Sequence, residues 1–173
     1  ALVREVVAAY QEKVIKIYQL LELTDLDLWC VSIPTSMVLE NLGSALMALG
    51  RQGLRLPFLV ALHGPEDRFV CTFSTAREQQ QEVARLLDNR ISVTSLKRLS
   101  PVAALFFHGP HFGDRYGIAA TLMQALERVQ VDPLALSCTV SSISVVIKEE
   151  NLASALKVLS ETFEDQSKSG QIG

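Results

Sequence analysis

The sequence predicts an α+β fold made of two ferredoxin-like sandwiches, preceded by an N-terminal helix. Each sandwich is a βαββαβ unit whose antiparallel sheet carries its helices on one face. Three observations lead to this prediction. The order β-α-β-β-α occurs twice in the hydrophobic periodicity of the chain. The 173 residues suffice for two small units. Apolar residues make up 49% and charged residues 20%, which excludes a disordered chain.

Residues 1–23 are predicted to form one helix, and residues 1–25 are assigned to this N-terminal helical segment. Apolar residues recur there at alternating spacings of four and three, the pattern of a heptad seam. Such a helix either packs on its own domain or pairs two subunits, and the sequence leaves both open. The seam consists of Val3, Val7, Tyr10, Val14, Ile17 and Leu21.

The first unit is assigned to residues 26–90. Thr75-Ala-Arg-Glu78 matches a capping box and is predicted to begin its second helix. The predicted elements are a strand at 28–33, a helix at 41–51, strands at 56–62 and 68–73 joined by a turn-rich loop, and a helix that ends near Leu87.

The second unit is assigned to residues 91–164, and the Ser/Gly-rich residues 165–173 are predicted to form a flexible tail. Lys97 and Arg98 are interpreted as a basic turn. The predicted elements are a short strand at 91–95, a strand at 101–107, a Gly/Pro loop at 108–116, a helix at 117–129, strands at 134–140 and 142–147, and a helix at 150–163.

Composition limits the classes of function. The net charge of −3 argues against nucleic acid or an anionic membrane as partner, because both require a basic surface. Cys30, Cys71 and Cys138 stand alone in apolar runs, the cysteine usage of a reducing compartment, so we expect a cytoplasmic protein. We expect no cofactor and no metal site. Phosphate-binding loops and a nucleophile elbow are missing from the sequence, so we do not expect an enzyme.

The segment His108-Gly-Pro-His-Phe-Gly-Asp-Arg-Tyr-Gly-Ile-Ala-Ala120 resembles the first strand–helix loop of ACT domains, the small amino-acid-sensing modules. The following strand pair, Leu136–Ile147, and the helix after it look like the ACT repeat of aspartate kinases. This resemblance covers about residues 91–164. Residues 28–88 resemble a second ACT repeat by pattern only, with Glu40 near the place of Gly117. The sequence therefore resembles a tandem ACT-domain protein, similar to the regulatory region of aspartate kinases, and its sandwiches are expected to be of the ACT type.

The glycine loop has the chemistry to bind a zwitterion. Gly117 allows a tight turn into the helix and a close approach of the backbone to a ligand. The N–H groups that follow favour a carboxylate, and Asp114 can pair with an ammonium group. An α-amino acid carries both charges. The alternative is a plain turn that begins the helix, where Asp and Gly are common.

The resemblance implies a ligand site at the interface between two ACT units, with the loop from one unit and a polar strand from the other. The predicted ligand-binding residues are Phe112, Gly113, Asp114, Arg115, Gly117, Ile118, Ala119, Ser137, Thr139 and Ser141.

Three functions are compatible with the sequence. The leading hypothesis is a non-catalytic regulatory protein, a homodimer or higher homo-oligomer, that binds a small amino acid at an ACT–ACT interface and couples binding to its oligomeric or partner state. The alternative is a ligand-free interaction module that docks on an amino-acid biosynthetic enzyme such as an aspartate kinase. The third is an enzyme, since ferredoxin-like sandwiches host many chemistries.

Overall fold

The computed structural model describes residues 15–89, 95–109, 112 and 116–165. Short 3₁₀ turns cover Thr35–Met37, Arg77–Gln79 and Glu149–Asn151, and one π-helical turn covers Val38–Leu42. The strands are β1 (Ile15–Ile17), β2 (Gln19–Pro34), β3 (Leu59–His63), β4 (Arg68–Ala76), β5 (Ser95–His108), β6 (Ala135–Cys138), β7 (Ser142–Lys148) and β8 (Phe163–Asp165). The helices are α1 (Gly43–Arg51), α2 (Gln80–Asp88), α3 (Ile118–Arg128) and α4 (Leu152–Thr162).

These elements form an ACT-like α+β fold with antiparallel strand pairing and packed helices, and the chain divides into two compact units. The first, here the Trp29 unit, consists of residues 22–104 and 146–150. The second, here the Phe107 unit, contains the described residues of 15–21, 105–145 and 151–165. Strands β2, β5 and β7 each contribute residues to both units.

In the Trp29 unit the strands follow the order β3-β4-β2-β5. Strand β2 pairs antiparallel with β4, from Leu26 opposite Ala76 to Pro34 opposite Arg68, and β3 pairs antiparallel with β4. Helix α1 packs against α2. The core comprises Trp29, Val31, Ile33, Leu42, Ala45, Ala48, Leu49, Cys71, Phe73, Val83, Leu86 and Leu87.

In the Phe107 unit the strands follow the order β5-β7-β6, and β1 pairs in parallel with β8. Helix α3 packs against α4, and Arg128 donates from Nη2 to Thr162 Oγ1 at 2.7 Å. The buried apolar residues include Ile15, Ile17, Phe107, Ile118, Leu122, Ala125, Leu126, Ile143, Val145, Val158, Leu159 and Phe163.

The prediction of an N-terminal helix is wrong for the residues of that segment that the structure describes. Ile15 and Ile17 lie in β1, and the chain continues as β2 from Gln19. The two isoleucines are β-branched and buried, and they alternate with the half-buried Lys16, which is the two-residue period of a strand. Pairing with β8 stabilises this extended conformation. Residues 1–14 of the predicted helix lie outside the described residues.

Two further local predictions are also wrong. Lys97 and Arg98 do not form a turn, because β5 begins at Ser95 and continues to His108. The capping box predicted at Thr75 does not form. Thr75 is buried in β4, its hydroxyl accepts the Trp29 indole N–H at 3.0 Å, and α2 begins only at Gln80. Residues 91–94 of the predicted short strand lie outside the described residues.

The elements recur with an offset of 76 residues. Strands β2 and β5 start at Gln19 and Ser95, and 95 − 19 = 76. Their first 13 residues have the same order of exposed, half-buried and buried positions. Moved by the same offset, the start of β3 at Leu59 falls on Ala135, where β6 starts, and the start of α1 falls one residue after that of α3.

Candidate functional site

The candidate site lies where β5 ends and α3 begins. Strand β5 leads to the β5–α3 connection, residues 109–117, of which the structure describes Gly109, Phe112, Tyr116 and Gly117. Gly113, Asp114 and Arg115, which supply the predicted ammonium partner and its neighbours, lie outside the described residues. The roles predicted for these three residues remain predictions.

Gly117 has the conformation that the sequence predicts for a tight turn into a helix. Its φ of +83° lies in the left-handed region that glycine favours, and no atom lies within 4 Å of the position that a β-carbon would occupy. Helix α3 starts at the next residue, and both the N–H and the hydroxyl of Thr121 donate to the Gly117 carbonyl. The first N–H groups of α3 have no helical acceptor of their own, so they are available to a carboxylate.

The side chains that flank Gly117 differ in what they can offer a ligand. Ile118 is buried in the core, so only its backbone can contribute to a site. Ala119 is half-buried. The Phe112 ring is 7% exposed and packs edge-on against Phe107, with 6.4 Å between the ring centroids. Phe112 therefore anchors the connection to β5.

The predicted polar strand corresponds to β6 and the turn after it. Strand β6 is the last strand in the order β5-β7-β6. Ser137 lies within it and is half-buried, whereas Thr139 and Ser141 are exposed and follow it. Thr139 holds the turn to β7, because its hydroxyl accepts the Ser142 N–H at 3.1 Å and lies 2.9 Å from the Ser142 hydroxyl. A ligand that used the Thr139 hydroxyl would compete with this turn.

The Trp29 unit lacks the left-handed glycine at the equivalent position. Gly117 minus the offset of 76 residues gives Asn41, which lies in the π-helical turn Val38–Leu42 and is buried. Glu40 beside it is exposed. In the Trp29 unit the chain therefore enters α1 through a π-helical turn and not through a left-handed glycine.

A buried polar cluster in the Trp29 unit was not found from the sequence. Asp27 is 0% exposed and accepts a hydrogen bond from Arg98 Nη1 at 3.0 Å on its Oδ2 atom, while its Oδ1 atom has no hydrogen-bond partner among the described residues. The Arg98 guanidinium also lies over the Trp29 ring, 5.9 Å from the ring centroid. The only signal in the sequence is a charged residue inside the apolar run Leu26-Asp-Leu-Trp-Cys30.

A shallow groove lies between α1 and α2 in the same unit, and none of its lining residues belongs to the connection that the sequence singles out. It is mostly apolar, with the Arg51 guanidinium and the polar side chains of Ser44 and Gln52 among its lining residues. Among the described residues, no group of His, Cys, Asp and Glu side chains is arranged to hold a metal ion. None of the helices in the described ranges is long and apolar enough to cross a membrane.

Residues 100–161 match the family model of the ACT domain. The matched stretch includes most of β5, the β5–α3 connection, α3, β6, β7 and nearly all of α4. It therefore contains every residue of the candidate site. No curated protein is significantly similar to the chain in sequence.

Solved structures of aspartate kinases share the fold. The ligand-free regulatory subunit of aspartate kinase from Thermus thermophilus superposes with a TM-score of 0.74 at 17% identity, over 88% of this chain and 100% of that one. The regulatory subunit from Thermus flavus gives 0.72 at 16%, over 85% and 98%. Aspartate kinase from Clostridium acetobutylicum gives 0.75 at 12%, over 90% of this chain and 37% of that one. At these identities the likeness establishes the fold alone.

Proposed function

We propose that the protein is a non-catalytic regulatory protein that binds a small amino acid and couples binding to its oligomeric state or to a partner. The match of residues 100–161 to the ACT domain and the fold shared with aspartate kinase regulatory subunits support this proposal. The observation that carries it is the left-handed conformation of Gly117, the residue immediately before α3 within the matched stretch. The proposed ligand carboxylate lies against the first N–H groups of α3, and Asp114 pairs with the ammonium group.

The proposed site lies at an ACT–ACT interface formed with a second copy of the chain, which makes the protein a homodimer or larger. The short, terminal strand β6 with Ser137 supports this, since an unpaired edge can receive another chain. The ligand then stabilises one assembly because it binds that assembly more tightly than the other, and the populations shift by that difference in affinity.

We further propose that the chain carries two ACT-type sandwiches, with residues 26–90 and 91–164 as the two domains and 165–173 as a tail. The 76-residue offset and the matching burial of β2 and β5 support a duplication. Because Asn41 replaces the left-handed glycine in the Trp29 unit, we assign the ligand to the connection at Gly117.

Isothermal titration calorimetry with each of the twenty amino acids tests the proposal. We expect one or a few of them to bind at or below millimolar concentration, and Asp114→Ala to weaken that binding without unfolding the protein. Asp132→Ala is the matched control, because Asp132 is an exposed aspartate after α3. Sedimentation velocity with and without the bound amino acid reads the coupling to assembly. Heats of dilution alone for all twenty amino acids would reject the sensor role.

A ligand-free interaction module is the second candidate. Leu39 and Tyr116 are 92% and 99% exposed, and each comes shortly before the first helix of its unit. Burial of such apolar side chains under a partner lowers the free energy, which favours binding. Under this candidate, the protein binds an amino-acid biosynthetic enzyme such as an aspartate kinase, both in the cytoplasm, and binding to the purified enzyme is unaffected by amino acids.

A further inference from the structure

Strand β1 touches the start of the β5–α3 connection directly. The Tyr18 N–H, just after β1, donates to the His108 carbonyl at the end of β5 at 2.9 Å. The Tyr18 and His108 rings lie beside each other, 6.3 Å between centroids. The backbone immediately after β1 is thus hydrogen-bonded to the residue immediately before Gly109.

Gly109 is in close contact with β1, and only glycine fits there. A β-carbon at Gly109 would overlap the Lys16 carbonyl oxygen, lie 3.2 Å from the Cα atom of Ile17, and lie 2.6 Å from the Phe112 ring. Real β-carbons do not approach other atoms so closely, so a side chain at position 109 must displace both β1 and the Phe112 ring. The positions of β1 and of the connection therefore depend on each other.

A cluster of three aromatic rings also links the β5–α3 connection to the β1–β8 strand pair. Phe112 of the connection packs on Phe107 of β5, and Phe107 packs on Phe163 of β8 with 5.1 Å between ring centroids. Phe163 is also the residue opposite Ile15 in the β1–β8 pair. Gly109 thus packs directly on β1, the neighbouring residues Tyr18 and His108 share a main-chain hydrogen bond, and the three buried rings link Phe112 to the strand that pairs with β1.

We propose that β1 is the element through which the ligand site is regulated: its position sets the positions of Gly109 and Phe112 ahead of Gly117, and occupancy of the site fixes the position of β1. This rests on the proposed amino-acid binding. By linkage, a ligand that favours one placement of β1 binds more weakly when β1 is displaced. The factor by which its affinity falls equals the factor by which the ligand shifts the equilibrium between the two placements of β1. Gly109 acts as a positioning residue, because it touches β1 and Phe112 and bears no group that could bind the ligand.

Amide hydrogen exchange on the full chain, read by mass spectrometry, tests the coupling. We expect exchange at residues 15–18 to slow in the wild type when an amino acid binds. Without ligand, Gly109→Ala should speed exchange there about tenfold or more, and it should weaken the binding of the same amino acid by the factor by which it lowers the fraction of molecules with β1 in place. Gly43→Ala is the matched control, because no atom lies within 4 Å of the added β-carbon and Gly43 opens α1 in the Trp29 unit. It should leave both measurements at the wild-type value.

The outcomes separate the two proposals. If an amino acid binds the wild type and exchange at residues 15–18 is unchanged, the coupling is wrong and amino-acid binding stands. If none of the twenty binds, the proposed function fails and the regulatory role of β1 fails with it; faster ligand-free exchange in Gly109→Ala then supports only its structural role. If Gly109→Ala does not fold, Phe112→Leu, which removes the ring contact with Phe107, replaces it. Wild-type exchange at residues 15–18 in that variant overturns the proposal.

Discussion

The Asp27–Arg98 pair allows a sharp test of the energetics of the Trp29 unit. The proposed change is Arg98→Met, which keeps an unbranched apolar stem and removes the guanidinium. Asp27 then keeps a carboxylate at 0% exposure with neither oxygen hydrogen-bonded, since Oδ1 already has no partner among the described residues. The variant also loses the contact of the guanidinium with the Trp29 ring.

The expected cost follows from burial. Removing one partner of a buried ion pair costs roughly 3–5 kcal/mol, because the remaining charge is desolvated and unpaired. The Arg98 side chain is 34% exposed, so water screens part of the interaction, and we expect about 3 kcal/mol. The double variant Asp27→Leu/Arg98→Met removes both charges. It should recover most of the lost stability, since apolar residues of similar size can replace a buried pair at little cost.

Urea denaturation followed by tryptophan fluorescence measures these free energies. Trp29 is the only tryptophan of the chain and lies within the cluster, so its emission reports on this unit. Arg85→Met is the control, because Arg85 pairs with Glu82 on an exposed face of α2, and this variant should unfold close to the wild type. If Arg98→Met is no less stable than Arg85→Met, or the double variant is less stable than Arg98→Met, the account of this pair is refuted.

Three further predictions concern the core, the glycine contact and a thiol. Leu126→Ala should lower the free energy of unfolding by about 2–5 kcal/mol, because the side chain is fully buried where α3 packs on its unit; a loss below 1 kcal/mol would contradict that placement. Gly109→Ala should cost about 1–3 kcal/mol in thermal or urea unfolding through overpacking against β1, whereas Gly43→Ala should be neutral or slightly stabilising. Burial, with a smaller contribution from Cys30, raises the pKa of the Cys71 thiol from 9.0 to about 11. Because the folded state holds this proton more tightly than the unfolded state, stability is intact below pH 9 and should fall by about 2–3 kcal/mol between pH 9 and 11. Comparing Cys71→Ala with the wild type across that range isolates the effect, and equal slopes would contradict it.

Helical periodicity predicted the helix faces well because it is a local property. The apolar positions chosen for α2 and α3 are buried, including Val83, Leu86, Leu122 and Leu126, except Val129, which is half-buried and follows α3. Strand boundaries were less accurate. The strand predicted at 134–140 ends at Cys138, because the Thr139 hydroxyl bonds Ser142 and turns the chain.

The errors arise where distant residues decide the conformation. The heptad spacing through Ile17 suits a helix, yet Ile15 pairs with Phe163, 148 positions further along the chain. Asp27 and Arg98 are 71 residues apart, and nothing near either position indicates the other. The sequence therefore predicted which residues are apolar enough for a core and the local pairing of β3 with β4, but not the distant partners of β1 and of Asp27.

The comparison of the two units explains why the fold alone does not identify the binding residues. Under the 76-residue offset Asp27 falls on Ala103, and both are fully buried on strands with the same burial pattern. The same offset sets Asn41 in a π-helical turn against Gly117 in a left-handed one. Apolar positions agree because both units must bury a sheet under helices, whereas a polar position is free to differ once it serves only one unit. Asp27 with Arg98 and Gly117 with its connection are such differences, so the chemistry specific to each unit is to be sought at these positions.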